Sequence, residues 1–528
     1  MPTLKIDGQQ VTVDKGTTVV DAAKTLGIEI PVFCYHAALT RPANCRMCLV
    51  EIGSEERGFR LTPGCHTEVG DGMEVRTNTD AVISARRSTL EFILLNHPVD
   101  CPICDQAGEC KLQDQYFAYS TKASRLHHRK GHKPKAKVLG PNVILDAERC
   151  LMCTRCVRFC DEVVGTGELR LTQRGDHSEI TTFPGVELAN PYSLCTVDLC
   201  PVGALTSRDF RFAARVWQTE RTPGVCDRCS RGCSMNVDTL RNEIVRLVPR
   251  ENPHVNQWWA CDEGRLSFHL LEGKRLDTGW VTVEGQRKEI DAATAYKAVG
   301  EALKAAVDEH GAKSVAFLAS PSWSCEDLYV LGRLHAALGG ESRIYLGGRT
   351  TRGDSDDILV RGDKNANRRG AERIFKAASI VARTPEHLRY DISRGDARFV
   401  LVLGGQHDLS DPVIEAFSGA EHAAGIAAVR SPVSDGLQVA APTRSVFERG
   451  GTFVNFQDRV QRFRRARMLR PEVHPPWRAL CAVAEAAGLD VHYECLSEVF
   501  NEMAEKVPAF RGLSLDAIGP HGAPARLM

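Results

Sequence analysis

The chain has no excess charge of either sign, with lysine plus arginine and aspartate plus glutamate each totalling 67. Without a basic surplus, nothing global draws it to a phosphate backbone or an anionic lipid surface, so nucleic acid is not expected as a partner. Long apolar runs are missing too. No stretch approaches the roughly 18 consecutive apolar residues of a membrane span, and the opening residues, MPTLKIDGQQ, lack the basic-then-apolar order of a secretory signal. These absences predict a cytosolic or peripheral protein. No Gly-x-Gly-x-x-Gly turn follows a strand, so no nicotinamide or flavin site is expected within the chain.

Cysteine, by contrast, is abundant. Twenty cysteines without an export signal argue against a disulfide framework, because cytosolic thiols are kept reduced and serve as metal ligands or catalytic groups. Seventeen of them fall between Cys34 and Cys261, leaving Cys325, Cys481 and Cys495 in the second half. A chain of 528 residues should hold several domains, and this one divides into a metal half and a different half.

The N-terminal residues alternate apolar and polar at Leu4, Ile6, Val11 and Val13 around Asp7-Gly8, a hairpin signal. Thr17 or Thr18 can cap a short helix through Val20, Ala23 and Leu26 that ends at Gly27. A hairpin followed by one helix predicts a small β-grasp sheet of the plant-type ferredoxin kind. From about Ala81 to Tyr119 the pattern is helical, with a break at His97-Pro98. Arg125 to Lys137 is a basic stretch that reads first as a solvated connector and second as a dock for an acidic neighbour. Beyond about residue 276, apolar runs such as Val315 to Leu318 and Phe399 to Leu403, the latter closing on Gly404-Gly405, alternate with helical stretches such as Leu328 to Leu338. That rhythm predicts α/β with a largely parallel sheet.

Four constellations carry the chemistry. Cys34, Cys45, Cys48 and Cys65 form C-x10-C-x2-C-x16-C directly after the β-grasp signal, which suits a 2Fe-2S cluster with two thiolates per iron. Tetrahedral zinc accepts the same ligands, and the ferredoxin-like context favours iron. His97, Cys101, Cys104 and Cys110 give H-x3-C-x2-C-x5-C, a candidate 4Fe-4S site in which a neutral imidazole completes a set otherwise limited to three cysteines. Cys150, Cys153, Cys156 and Cys160 spell C-x2-C-x2-C-x3-C, the opening of a two-cluster ferredoxin motif whose fourth cysteine serves the other cluster. The fourth ligand of this first cluster is then Cys200, in Cys200-Pro201-Val202-Gly203-Ala204. A second half would need cysteines at 190, 193 and 196, where Asn190, Ser193 and Thr196 stand, so one 4Fe-4S cluster is expected here and Cys160 and Cys195 are spare. Cys226, Cys229, Cys233 and Cys261 form C-x2-C-x3-C-x27-C, which fits either a zinc ribbon or a third 4Fe-4S cluster. The three upstream cluster motifs favour the latter. The three late cysteines read as small buried hydrophobes.

In their order, and in the strings NCRMCLVE (44–51), NHPVDCPICDQAGEC (96–110), RCLMCTRCVRFC (149–160) and LCPVGALTS (199–207), the motifs resemble the large iron-sulfur subunit of bacterial NADH:quinone oxidoreductase, respiratory complex I. The likeness covers about residues 1 to 275. It implies that electrons from reduced flavin on a neighbouring NADH dehydrogenase subunit enter at the Cys34 cluster, pass to the Cys150 cluster and then the His97 cluster, and leave toward a ferredoxin-like 4Fe-4S subunit. The Cys226 cluster lies off that route. Other peripheral-arm subunits of complex I are implied as partners, on the cytoplasmic side of the inner membrane. The second half resembles a molybdopterin oxidoreductase domain, with a weaker echo at ERGGTFVNFQDRVQRF (448–463). It shows no metal-binding catalytic signature, so it is expected to bind no molybdopterin and to serve as scaffold.

The expected fold is thus multidomain α+β and α/β. A 2Fe-2S β-grasp domain is expected at 1–78, a 4Fe-4S domain with one histidine and three cysteine ligands at 79–118, and a ferredoxin-like 4Fe-4S domain at 140–218. A further 4Fe-4S domain at 219–275 and a molybdopterin-oxidoreductase-like α/β domain at 276–528 complete it. The iron-sulfur subunit of a soluble NAD-linked hydrogenase or formate dehydrogenase complex is the nearest alternative. A zinc-stabilised scaffold without redox function is a more distant one.

Overall fold

The computed structural model describes residues 1–120, 123–272, 274–349, 355–404 and 411–526, the side chains of 411–413 excepted. Gly405, at the end of the run expected from Phe399, lies outside them. The chain forms two compact units, Met1–Thr219 and Glu220–Met528.

In the first unit, strands Thr3–Ile6 and Gln9–Thr12 pair antiparallel, Ile6 opposite Gln9, so that Asp7 and Gly8 alone make the turn. Both residues have positive φ, 47° and 81°, as a type I′ turn requires. The five-stranded sheet runs Gln9–Thr12, Thr3–Ile6, Glu74–Arg76, Leu49–Ser54, Gly58–Pro63, with Thr3–Ile6 parallel to Glu74–Arg76. Thr18, rather than Thr17, caps helix Val19–Thr25 by accepting from the Asp21 amide at 3.1 Å. Val19, Ala22 and Ala23 of that helix bury against Leu4, Ile6, Val50 and Val75 of the sheet. This is the β-grasp arrangement. The helical region resolves into Asp80–Leu94 and Lys111–Tyr119, joined through buried Arg86, which donates to Tyr119 Oη at 2.8 Å and to the Leu49 carbonyl at 3.1 Å. Beyond it, strands Lys137–Val138, Val143–Leu145 and Leu205–Ser207 form a small antiparallel sheet beside helices Arg155–Phe159 and Cys195–Leu199.

The basic stretch 125–137 is not a loose connector. Arg125 pairs with Glu91, Lys130 Nζ donates to the carbonyls of Leu94 and His97 at 2.6 and 2.7 Å, Lys135 pairs with Glu148 at 2.6 Å, and Lys137 pairs with Glu179 at 2.8 Å. These cations lace the two helical and ferredoxin-like parts of the unit together.

The second unit opens with a three-stranded antiparallel sheet, Glu220–Val225, Ser234–Leu240 and Glu243–Pro249. Its main sheet has seven strands in the order Gln286–Ile290, Gly279–Val283, Val439–Pro442, His422–Ala427, Phe399–Leu403, Val315–Ala319, Arg343–Leu346. The last five are mutually parallel, and in chain order they run 2-1-3-4-5 across the sheet, a doubly wound topology. Being covered on both faces, the central strands are apolar throughout, with Phe317 and Leu401 facing helices Ala292–His310 and Cys325–Ala337, while Leu318, Val400 and Val402 face the side of Leu388 and Phe417. The echo at 448–463 is the hairpin Gly451–Val454 with Arg459–Phe463, in a separate small sheet. Cys325 and Cys481 are buried as expected, but Cys495 is exposed, because it stands just before helix Leu496–Lys506 rather than on its inner face.

Candidate metal centres

Cys34, Cys45, Cys48 and Cys65 come from the loop between helix Val19–Thr25 and strand Leu49–Ser54 and from the turn after strand Gly58–Pro63. The loop reaches them through left-handed backbone at Ala43 and Arg46, φ 53° and 59°. The thiols meet in a chain: Cys45 and Cys65 donate to Cys34, holding its thiol far below the ordinary cysteine range, and Cys65 also donates to Cys48, which is lowered as well. Cys34, Cys48 and Cys65 are buried.

The second set begins at His97, whose backbone carbonyl is held by Lys130. Its Nδ1 is buried without a hydrogen-bond partner, and burial lowers its pKa to about 4, so the ring is neutral at pH 7 with a lone pair to offer. Cys101 opens a single turn, Cys101–Ile103, and Cys110 stands at the N-terminus of helix Lys111–Tyr119. Arg215 fixes this turn by donating to the carbonyls of Cys104 and Pro102. Burial pushes up the thiols of Cys104 and Cys110, the latter to about 11.

Cys150, Cys153, Cys156 and Cys200 line one interior cavity together with Leu145, Ile180, Val202 and Leu205. Met152 and Thr154, φ 52° and 62°, supply the left-handed steps that let three cysteines spaced by two residues face inward. Burial raises Cys150 to about 12 and Cys153 to about 11, and raises Cys156 and Cys200 too; backbone amides of Leu205, Val202 and Ala204 oppose the rise at Cys200. Cys160 and Cys195 are buried and do not line the cavity. Asn190, Ser193 and Thr196 are also buried, with Asn190 Oδ1 accepting from the Tyr192 amide at 2.9 Å and Thr196 Oγ1 donating to the Ser193 carbonyl at 2.6 Å.

In the second unit, Cys226, Cys229 and Cys233 occupy the connection between strands Glu220–Val225 and Ser234–Leu240, and Cys261 caps helix Asp262–Arg265. The Cys226 amide donates to the Cys233 carbonyl at 2.9 Å, closing the loop. Gly264 packs closely against two of these thiols: a Cβ there would lie 3.0 Å from Cys226 Sγ and 3.4 Å from Cys261 Sγ. Burial raises Cys226, Cys233 and Cys261, the last to about 12.

All four sets therefore present thiols withdrawn from water. Burial disfavours the bare thiolate at Cys110, Cys150, Cys153 and Cys261, a cost that cationic iron would offset, and the buried imidazole nitrogen of His97 lacks any other partner. These donors fit iron-sulfur clusters. Among the described residues, no group of three or more His, Cys, Asp or Glu side chains is arranged to hold a metal ion.

Sequence reasoning missed the arginines that join the sets. Arg149, adjacent to Cys150, makes a bidentate pair with Asp100, adjacent to Cys101, at 3.0 and 2.5 Å. The Pro201 carbonyl, next to Cys200, accepts from the Lys111 amide at 3.1 Å and Cys110 Sγ at 3.9 Å. Arg158 Nη2 donates to the carbonyls of Cys34 at 2.6 Å and Cys153 at 3.3 Å, and Asn44 Nδ2 donates to the Met152 carbonyl at 3.3 Å. The signal was available: several arginines sit inside or beside otherwise buried cysteine motifs.

Four family models match the chain in series. Residues 1–80 match a 2Fe-2S iron-sulfur cluster binding domain, 86–125 the NADH-ubiquinone oxidoreductase-G iron-sulfur binding region, 140–206 the ferredoxin-like domain of NADH-quinone oxidoreductase subunit 3, and 219–272 the molybdopterin oxidoreductase Fe4S4 domain. With the geometry above, they define an iron-sulfur protein that carries both 2Fe-2S and 4Fe-4S binding domains. Within that class the chain resembles one particular respiratory subunit, as its motifs indicated. It is 37% identical over 339 residues to the G subunit of the NADH-quinone oxidoreductase of Rickettsia felis, covering 64% of this chain and 49% of that one. It is 38% identical over 341 residues to the NADH-ubiquinone oxidoreductase 75 kDa subunit of Reclinomonas americana, covering 65% and 48%. The chain thus spans about half the length of these curated relatives. A solved NAD+-reducing [NiFe]-hydrogenase chain in the H2-reduced state overlaps 41% of this chain and 91% of its own length, with 26% identity and a TM-score of 0.36.

Proposed function

We propose that this chain is the electron-transfer iron-sulfur subunit of an NADH:quinone oxidoreductase of the complex I type. Cys34, Cys45, Cys48 and Cys65 hold one 2Fe-2S cluster. Three 4Fe-4S clusters are held by His97, Cys101, Cys104 and Cys110; by Cys150, Cys153, Cys156 and Cys200; and by Cys226, Cys229, Cys233 and Cys261. When bound, the clusters supply one-electron carriers; the chain supplies ligands, burial and the hydrogen bonds that tune them. Electrons arrive from a flavin-binding NADH dehydrogenase subunit and leave toward a ferredoxin-like 4Fe-4S subunit. The assembly places the chain peripherally at the cytoplasmic side of the inner membrane; no described helix is long and apolar enough to cross one. Residues 276–528 act as scaffold, with no molybdopterin, FMN or NAD.

One observation supports this reading most: the ligand loops of the first unit are joined in the order that the resemblance implies. The Cys34 loop is tied to the Cys150 motif through Arg158, and that motif to the His97 set through the Arg149–Asp100 pair. Anaerobic purification of the native assembly tests the reading. Membrane subunits and a flavin subunit should accompany the chain, and NADH should bleach its cluster absorbance. Co-purification with a hydrogen-activating nickel-iron subunit instead would move the chain to the hydrogenase class, and NADH without effect on the clusters would remove it from both.

A further inference from the structure

Two arginines, Arg155 and Arg158, lie between Cys153 and Cys160. Among the described residues, neither Arg155 nor Arg158 forms an ion pair; their guanidinium groups are surrounded by main-chain carbonyls. Arg155, only 4% exposed, donates from Nη2 to the Tyr35 carbonyl and from Nη1 to the Leu199 carbonyl at 3.3 Å, while its Nε is buried without a partner. Arg158 donates to the carbonyls of Thr40, Cys34 and Cys153, and its Nε reaches Thr154 Oγ1 at 3.3 Å. Each guanidinium therefore touches one residue at or beside Cys34 and one at or beside a cysteine of the Cys150 set.

A buried cation without a counter-charge is strongly unfavourable, and carbonyl dipoles offset only part of that cost. The negative charge that fits here is the thiolate charge of the two neighbouring ligand sets. We propose that Arg155 and Arg158 are positioning residues shared by these two centres, locking the Cys34 loop onto the Cys153 and Cys200 loops and acting as a common counter-charge. This rests on the cluster assignment above. A fixed positive charge favours the more negative, reduced form of each centre, so the pair raises both reduction potentials together. Potential tuning and loop registration are thereby carried by the same two side chains.

Arg158 is the better probe, being only half-buried. In the full chain within its anaerobically purified assembly, Arg158→Gln keeps some hydrogen bonding and loses the charge. Redox titration followed by electron paramagnetic resonance should show both centres about tenfold harder to reduce, about 59 mV for one electron. Arg158→Lys should recover most of the shift at both. Arg170→Gln, which removes an arginine paired with Asp161, should move neither. Iron retained with only one centre shifted, or none, overturns the proposal. If Arg158→Gln loses iron, Arg155→Gln takes its place: its guanidinium donates to the Tyr35 and Leu199 carbonyls, so its loss should make both centres harder to reduce. Unmoved potentials there overturn the proposal equally. An unsubstituted chain without cluster signals would sink the cluster assignment itself, whereas normal signals with unmoved potentials sink this inference alone.

Discussion

Gly203 is the position where one added methyl group should separate the centres experimentally. A Cβ built on it would lie 2.4 Å from Cys104 Sγ and 3.0 Å from Gln106 Cβ. The first distance is about 1 Å inside the 3.5 to 4.0 Å range where nonbonded contacts are favourable. Gly203 does not have left-handed backbone, so alanine costs nothing in conformation there and the effect is steric. Neither side can retreat freely. Cys104 is fixed through its carbonyl by Arg215, and the Cys200–Ala204 loop is held through the Pro201 carbonyl by the Lys111 amide. Overpacking of this kind costs about 1–3 kcal/mol, or about 5- to 150-fold in the equilibrium between a formed and a displaced ligand. Gly203→Ala should therefore lose about four irons from the His97 set while the 2Fe-2S signal of the Cys34 set persists. Metal analysis and low-temperature electron paramagnetic resonance read both quantities. Full iron with an unaltered signal from the His97 centre would refute the geometry on which the reasoning rests.

Further expectations follow from single contacts. His97→Cys replaces a neutral donor with a thiolate, so the His97 centre should become harder to reduce by more than about tenfold, about 59 mV, in a redox titration. Cys160→Ser and Cys195→Ser, separately, should leave the iron content unchanged, because neither thiol lines the Cys150 cavity. In the second unit Arg449 pairs with buried Asp327, which also accepts from the Trp477 amide at 3.0 Å. Arg449→Met should cost about 3–5 kcal/mol by stranding that carboxylate, readable as a lowered unfolding midpoint in denaturant. Burial raises the carboxyl of Glu326 from 4.5 to about 7. The folded form then holds a proton that the unfolded form has released, so stability of this unit should fall as pH rises from about 4.5 through about 7, and Glu326→Gln should flatten that slope in pH-dependent unfolding.

Local chemistry was the legible part of this chain. Asp7-Gly8 announced its hairpin because few residue pairs tolerate two positive φ angles, and the apolar runs at 315–318 and 399–403 announced buried parallel strands because both their faces are covered. The short cysteine intervals pointed to thiols that do meet in two places, Cys34 with Cys45 and Cys65, and Cys150, Cys153 and Cys156 around one cavity with Cys200. What escaped was everything that depends on long-range contact. The basic residues 125–137 looked like a solvated connector, since a charge run does not disclose that Glu91, Glu148 and Glu179 will meet it. Arg149, Arg155 and Arg158 drew no reading from the sequence, since their partners are carbonyls and a carboxylate far away in sequence. Cys495 was misjudged because a lone cysteine carries no periodicity to say which way it faces.

The central claim is that four ligand sets hold iron as one 2Fe-2S and three 4Fe-4S clusters. Metal analysis of the anaerobically purified chain, with Mössbauer spectroscopy on iron-57-enriched protein, tests it most directly. The account predicts about 14 irons per chain, two in a 2Fe-2S spectrum and the remainder in 4Fe-4S spectra. A chain holding chiefly zinc, or iron with no 2Fe-2S component, would contradict it.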